Sequence, residues 1–277
     1  MTLLVNKKVI ILCAGKGTRF GEETQTVPKP LIEVKELNNK PILFSILSSL
    51  ANSDYRQIWI VKGYLASKIE EFISTMQSET VFPQLQLHSI DSKQDYKLGP
   101  LHSLLSIRRD PDLFEKGSIY LVLPGDTIFE SPFFQQISTF IDSHQNLLKQ
   151  YPILFYRKVR GTKFKSNSFE KETHVDERVS ILHAKSSQPQ FLKSIDQVHI
   201  SQINEEIELK QLYPCFLLSY SILQRLLNVP ELKKIPSIVE LLNLYSELGK
   251  EIYITSFENP YNFYDIDYKS DFERLRE

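Results

Sequence analysis

The sequence predicts an α/β fold, and three observations carry that expectation. The first is a continuous apolar run, Val9-Ile10-Ile11-Leu12, which suits a strand buried on both faces rather than one with a wet side. The second is an alternation of short apolar runs with helix-periodic segments, β-α-β-α, through the first half of the chain. The third is a change of pattern beyond Asp126, where strand-like runs are separated by long polar connections. Together they describe a Rossmann-like, mostly parallel sheet flanked by helices, with α+β insertions in the second half.

Taken in order, the elements follow from local chemistry. After the first strand, Pro41 is placed to open a helix, and Ile42, Leu43, Ile46, Leu47 and Leu50 recur at helical spacing. A strand is expected at Gln57–Val61, a turn at Gly63-Tyr64 and a helix over Leu65–Met76. Leu85–Ile90 reads as a third strand, and Gly99-Pro100 introduces a helix over Leu101–Arg109. Ile119–Leu123 is the clearest strand, stopped by Pro124-Gly125-Asp126. In the second half, strands are expected at Ile153–Val159, Val179–Ala184, Tyr213–Ser219 and Glu251–Ser256, with helices at Tyr220–Leu227 and Ile238–Leu248 and a final helix before the C-terminus. Gly161–Thr173 and Ser186–Pro189 read as flexible loops, and Arg157-Lys158 as part of a solvated face.

A chain of 277 residues can bury a substantial core, and a single domain over 1–277 is expected. The formal net charge of -1 gives no global attraction to nucleic acid or an anionic membrane. Cys13 and Cys215 make no ligand cluster, and such sparse usage suits a reducing compartment without disulfides. The apolar run after Lys7 and Lys8 is too short for a signal peptide, and no stretch approaches a membrane span, so a cytoplasmic protein is expected. The six histidines, His88, His102, His144, His174, His183 and His199, show no paired spacing of the kind zinc requires and read as surface or structural groups.

The loop after the first strand is where chemistry concentrates. Gly15 and Gly17 bracket Lys16, and glycines there allow positive φ and let backbone N–H groups approach an anion. Thr18, Arg19 and Lys29 add a hydroxyl and two cations, a set that suits a polyphosphate. The whole run resembles the signature of the nucleotidyltransferases that join a sugar 1-phosphate to a nucleoside triphosphate, written L-A-A-G-x-G-T-R-L…P-K-x-L. Gly15, Gly17, Thr18 and Arg19 match the first block, Pro28, Lys29, Pro30 and Leu31 the second, and Thr24 a threonine often found between them, with Cys13 at a position usually held by alanine.

The resemblance implies a nucleotide-binding part over about residues 1–130 and an acceptor-binding part over about 131–277. It implies that Ala14, Gly15, Lys16, Gly17 and Thr18 bind nucleotide, that Gly99 lies at the wall facing the base, and that Arg19 and Lys29 are catalytic. Asp126 ends the fourth strand, where open α/β sheets place their crevice, although a turn or helix-capping role accounts for it equally well from the residues alone. In the family an aspartate there holds Mg²⁺. Phe263-Tyr264-Asp265-Ile266-Asp267 resembles the later motif W-x-D-I-G, which implies Asp265 as the second Mg²⁺ ligand and leaves a contribution from Asp267 open. Val179–Lys185 resembles a strand ending in E-K-P, so that Lys185 corresponds to an acceptor-phosphate contact while Ala184 stands where the sugar-contacting glutamate would be.

The function so implied is Mg²⁺-dependent transfer of a nucleoside monophosphate from a triphosphate to a sugar 1-phosphate, with release of pyrophosphate. Two alternatives stay open: a cytidylyltransferase acting on an alcohol phosphate of the phosphocholine or glycerol phosphate kind, and a non-catalytic regulatory subunit that binds nucleotide sugars. A dinucleotide-binding oxidoreductase is disfavoured because G-x-G-T-R lacks the third glycine of that fingerprint. Neither nucleic acid nor membrane is expected as a partner, and a homo-oligomer stays open.

Overall fold

A computed structural model describes residues 5–165, 178–229, 232 and 234–276. In chain order, β1 (Lys7–Cys13) is followed by a minimal hairpin of β2 (Glu33–Val34) and β3 (Lys40–Pro41), then α1 (Ile42–Ala51), β4 (Gln57–Lys62), α2 (Ala66–Ser78), β5 (Gln86–Asp91), α3 (Pro100–Leu105) and β6 (Ile119–Pro124). Next come β7 (Thr127–Phe129), α4 (Pro132–Ser143), α5 (Gln145–Gln150), β8 (Ile153–Arg160), α6 (Thr162–Lys165), β9 (Arg178–Ala184) and β10 (Leu192–His199). The chain continues through β11 (Glu208–Ser219), α7 (Tyr220–Leu227), α8 (Ile238–Glu247), β12 (Tyr253–Ser256) and β13 (Phe263–Asp265) to a 3-10 segment, Lys269–Arg276.

The first half forms the expected parallel sheet in the order β5-β4-β1-β6. Strand β1 is central because its alternate residues are apolar on both sides. Val9, Ile11 and Cys13 enter one core with α1 and α4, whereas Ile10 joins a second core with α3, α7 and α8. Strand β6 repeats this, with Leu121 and Leu123 on one face and Tyr120 and Val122 on the other. The result is an α/β sandwich with helices on both faces of the sheet.

The second half is attached through β11, which runs antiparallel to β6 at Phe216–Ser219 and antiparallel to β8 along most of its length. Strand β12 pairs parallel with β8, and the β9–β10 hairpin joins β11 where Gln211 meets Ile181. These additions are the α+β insertions. A separate two-stranded ladder, β7 with β13, sits just past the end of β6.

Several expectations are refined. The helix expected over Leu101–Arg109 is α3 followed by a 3-10 turn at Ser106–Arg109, and the closing helix is 3-10 rather than α. Helix α4 adds to these expectations, and its sequence carries the signal: Pro132 stands at its start, with Phe133, Phe134, Ile137 and Ile141 at helical spacing. Strands β7 and β13, at three residues each, are too short to show any period. Of the loop expected at Gly161–Thr173, residues 162–165 are α6, and its remainder lies outside the described residues. The pair Arg157-Lys158 divides, since Lys158 is exposed and Arg157 is buried. Both cysteines are free and buried.

Candidate active site

The glycine loop leaves the carboxyl end of β1 and is fixed by a small number of contacts. Ala14 is buried, and its carbonyl accepts a 3.0 Å hydrogen bond from the Tyr64 N–H after β4. Gly15 faces open space, which leaves its backbone accessible. Gly17 has φ of 65°, and a Cβ there would stand 2.9 Å from the Cβ of Lys29, so both the backbone angle and the close approach of Lys29 require glycine. Thr24 is buried and donates its hydroxyl to the carbonyls of Gly17 (3.2 Å) and Gly21 (2.8 Å). It thereby ties the loop to the segment leading to Lys29. Lys16 and Thr18 are exposed, with the Lys16 ammonium 5.6 Å from the centre of the Tyr64 ring.

Lys29 is 5 % exposed and sits between Pro28 and Pro30 at the start of a 3-10 turn. Its ammonium donates to Asp126 Oδ2 at 2.7 Å and to Asp267 Oδ1 at 3.1 Å. Burial works against its charge, but the two carboxylates prevail and raise its pKa above the ordinary lysine value. Arg19, exposed at the lip, pairs with Asp267 Oδ2 at 2.8 Å. Asp267 therefore bridges the two cations that the sequence singles out.

Asp126 reaches Lys29 because β6 ends directly against β1. The Gly125 N–H bonds the Leu12 carbonyl at 2.9 Å, and a Cβ at Gly125 would lie 2.3 Å from Cys13 Sγ. Only glycine lets the two strand ends meet there. The β7–β13 ladder then brings in Asp265, which pairs in register with Thr127 and accepts a hydrogen bond from its hydroxyl, while the Ile266 N–H donates to the Asp126 carbonyl at 3.2 Å. Crowding of the carboxyl by surrounding protein, followed by the facing charge of Asp126, pushes the Asp265 pKa up to about 7, with Thr127 and Lys29 acting in the opposite sense. The residue nonetheless keeps an exposed surface, so water and a small cation have access to it.

The structure thus brings together Arg19, Lys29, Asp126 and Asp265, drawn from three distant stretches of sequence. It adds residues that sequence reasoning left open or passed over. Asp267 is one. Asp271 is another, being buried and accepting the N–H groups of Asp267 and Tyr268 at 2.7 Å each, which holds the turn that presents Asp267. Phe272 packs on Phe20 with ring centres 5.5 Å apart and seats the C-terminal segment on the glycine loop. The only sequence signal for these was the spacing of acidic residues after Asp265.

Two expected residues stand apart. Gly99 has φ of 113°, and a Cβ there would lie 2.4 Å from the Pro236 carbonyl oxygen, which also accepts the Leu101 N–H. Packing against the segment before α8 is sufficient reason for this glycine. Gly99→Ala is expected to destabilise the protein by about 1–3 kcal/mol, read as a lower melting temperature, because the strained φ and the backbone clash add. Lys185 lies in the β9–β10 turn, where its N–H bonds the Phe191 carbonyl at 2.9 Å and Phe191 bridges to Tyr253 of β12. No contact among the described residues joins it to the Lys29 cluster.

Comparison with known proteins gives the family and the fold. Residues 8–175, well over half of the chain, match the family model described as Nucleotidyl transferase. The bifunctional protein GlmU of Methanococcus maripaludis is 36% identical over 121 residues, covering 44% of this chain, and the match spans only 25% of the length of that relative. Among solved structures, UDP-glucose pyrophosphorylase complexed with UDP-glucose superposes with a TM-score of 0.69 at 15% identity, covering 97% of this chain and 96% of the other. The CTP:phosphocholine cytidylyltransferase of Streptococcus pneumoniae gives 0.61 at 16% identity and covers 98% of each chain. These two likenesses establish the fold. No helix among the described residues is long and apolar enough to cross a membrane. Because the matched region runs from β1 through the glycine loop and Lys29 to Asp126 and beyond, the chain belongs to the nucleotidyl transferase family.

Proposed function

We propose that this protein transfers a nucleoside monophosphate from a nucleoside triphosphate to a sugar 1-phosphate, releasing pyrophosphate in a Mg²⁺-dependent reaction. The observation that carries this reading is the buried Lys29 ammonium held between Asp126 and Asp267 beside the glycine loop. Both reactants are anions, so catalysis is chiefly positioning and charge neutralisation, and no protein nucleophile is needed. The backbone N–H groups of Gly15–Gly17 and the Arg19 guanidinium would hold the β- and γ-phosphates. Lys29 would stabilise charge at the reacting phosphorus, once phosphate oxygens replace its present carboxylate partners.

The donor set fits Mg²⁺. Asp126 and Asp265 offer hard oxygen ligands; burial first, and the facing charge of Asp126 second, raise the Asp265 pKa, and a divalent cation would offset both. No group of three or more His, Cys, Asp or Glu side chains poised for a metal occurs among the described residues, so waters and substrate phosphates would complete the shell, as is usual for this ion. Bound there, Mg²⁺ would neutralise and orient the triphosphate.

A second reading, transfer of cytidylyl to an alcohol phosphate, is favoured by one feature: Ala184 occupies the position of the sugar-contacting glutamate, and Lys185 lies outside the cluster. The likeness to a phosphocholine cytidylyltransferase over nearly all of both chains supports keeping it. Incubation of the folded protein and Mg²⁺ with each nucleoside triphosphate, against phosphorylated sugars, phosphocholine and glycerol phosphate, separates the two by which pair releases pyrophosphate. Release from no pair overturns both. Nucleotide binding without turnover, unaffected by Asp126→Ala, would instead identify a non-catalytic subunit.

A further inference from the structure

Arg157 breaks a rule of burial. It lies on β8 with only 7 % of its surface exposed, although a guanidinium is costly to desolvate and is usually paired when it is buried. No carboxylate among the described residues pairs with it directly. Burial accordingly lowers its pKa from the ordinary arginine value. A charge kept buried without a carboxylate partner is explained by what its hydrogen bonds hold in place.

Its partners indicate that role. Nε donates to Gln211 Oε1 at 2.8 Å, which fixes the guanidinium to β11. One terminal nitrogen donates to the Tyr261 carbonyl at 3.3 Å and to Asn262 Oδ1 at 3.1 Å, and the guanidinium carbon lies 4.5 Å above the Phe263 ring. Asn262 Oδ1 also accepts from Lys163 at 3.1 Å, and its Nδ2 donates to Glu130 Oε1 at 2.7 Å. Tyr213 joins from β11, its hydroxyl donating to the Tyr261 carbonyl and accepting the Tyr261 N–H, both at 2.9 Å. Every one of these contacts lands on the three residues that lead into Asp265, or on the side chains that hold them.

Strand β13 needs such support. It has three residues and a single strand neighbour, β7, of the same length, and a ladder of that size is not stable by itself. Arg157 and Tyr213 supply the other side, from two strands of the main sheet. We propose that Arg157 is a positioning residue for the phosphate and metal site: by clamping Tyr261–Phe263 to β8 it holds Asp265 where it and Asp126 can share one divalent cation. This rests on the Mg²⁺-dependent reading of those two aspartates. Lysine cannot substitute, because a point charge on a flexible stem lacks the planar fork that reaches Gln211 and Asn262 together.

The test uses the full chain without nucleotide. Mn²⁺ binding is measured by electron paramagnetic resonance for the wild type, Arg157→Lys and Asn262→Ala, with amide hydrogen exchange at Ile266 as a metal-free reading of β13 and thermal melts as the check on folding. Loss of support behind a metal ligand typically weakens binding by a factor of 10–100, and a loss of about tenfold in Mn²⁺ affinity is expected for both variants. Faster exchange at Ile266 should accompany it, while the KM for nucleoside triphosphate at saturating metal stays within about threefold of the wild type. If Arg157→Lys does not fold, Asn262→Ala decides. Unchanged Mn²⁺ affinity and Ile266 exchange in a folded variant overturn the role of Arg157, as does an equal rise in metal requirement and nucleotide KM. Absence of Mn²⁺ binding by the wild type overturns the metal reading itself and the inference with it, an outcome distinct from wild-type binding that the variants leave intact.

Discussion

Asp126→Ala is expected to reduce nucleotidyl transfer by about 10³-fold or more, close to the upper end of what removal of one charge-organising group costs. The side chain has two functions that fail together. On the proposed reading it would donate an oxygen to the divalent cation, and it is the nearer carboxylate on the Lys29 ammonium, at 2.7 Å. Its side chain is 33 % exposed, so folding depends on it far less than activity does. A kcat measurement at saturating nucleotide and Mg²⁺, beside a melting curve, checks both statements. Asp126→Asn, which keeps the volume and removes the charge, should show the same loss; activity within tenfold of the wild type in either variant would remove Asp126 from the mechanism.

The second large effect belongs to Lys29. Truncation to alanine confounds charge with packing, because the Lys29 stem packs against Gly17. Lys29→Met keeps most of that stem and discards only the ammonium. A drop in kcat of about 10²–10³-fold is expected, since on the proposed reading Lys29 would stabilise charge at the reacting phosphorus. The same variant should bind Mn²⁺ a few times more tightly in the absence of nucleotide, because Asp126 and Asp267 lose the cation that now neutralises them. The two effects have opposite signs, which separates a catalytic cation from a merely structural one. Unaltered kcat, or weaker metal binding, would contradict the assignment.

Asp267 pairs with both Arg19 and Lys29. On the proposed reading an incoming triphosphate would compete with Asp267 for those cations, which would couple nucleotide binding to the Asp265–Asp271 segment by charge. Asp271 and the Phe20–Phe272 contact hold that segment against the glycine loop.

Much of the architecture could be read in advance because it depends on local patterning. Val9–Leu12 and Ile119–Leu123 are apolar at every position, and only a strand with helices on both faces buries all of them. Helix α1 was equally plain from Ile42, Leu43, Ile46, Leu47 and Leu50, every one of which is buried. The glycine loop could be read for a related reason: Gly17 combines a positive φ with a close approach to Lys29 that leaves no room for a Cβ. What escaped was short or depended on a distant partner. Strand β13 has no period in three residues and exists because β7, Arg157 and Tyr213 hold it. Arg157 itself, taken from its neighbour Lys158 as surface, is buried because β8 alternates, sending Ile153, Phe155 and Arg157 to the core side and Lys158 to water.

The parallel α/β core, the glycine loop and the set of cations and carboxylates near it all follow from side-chain pattern and backbone freedom within a few residues. Which of them meet depends on long-range packing. Lys29 finds Asp126 because Gly125 lets β6 close on β1, and Asp265 joins them because a three-residue ladder is braced from another sheet region. Charges separated by up to 238 positions along the chain interact over about 3 Å, and that proximity is a property of packing.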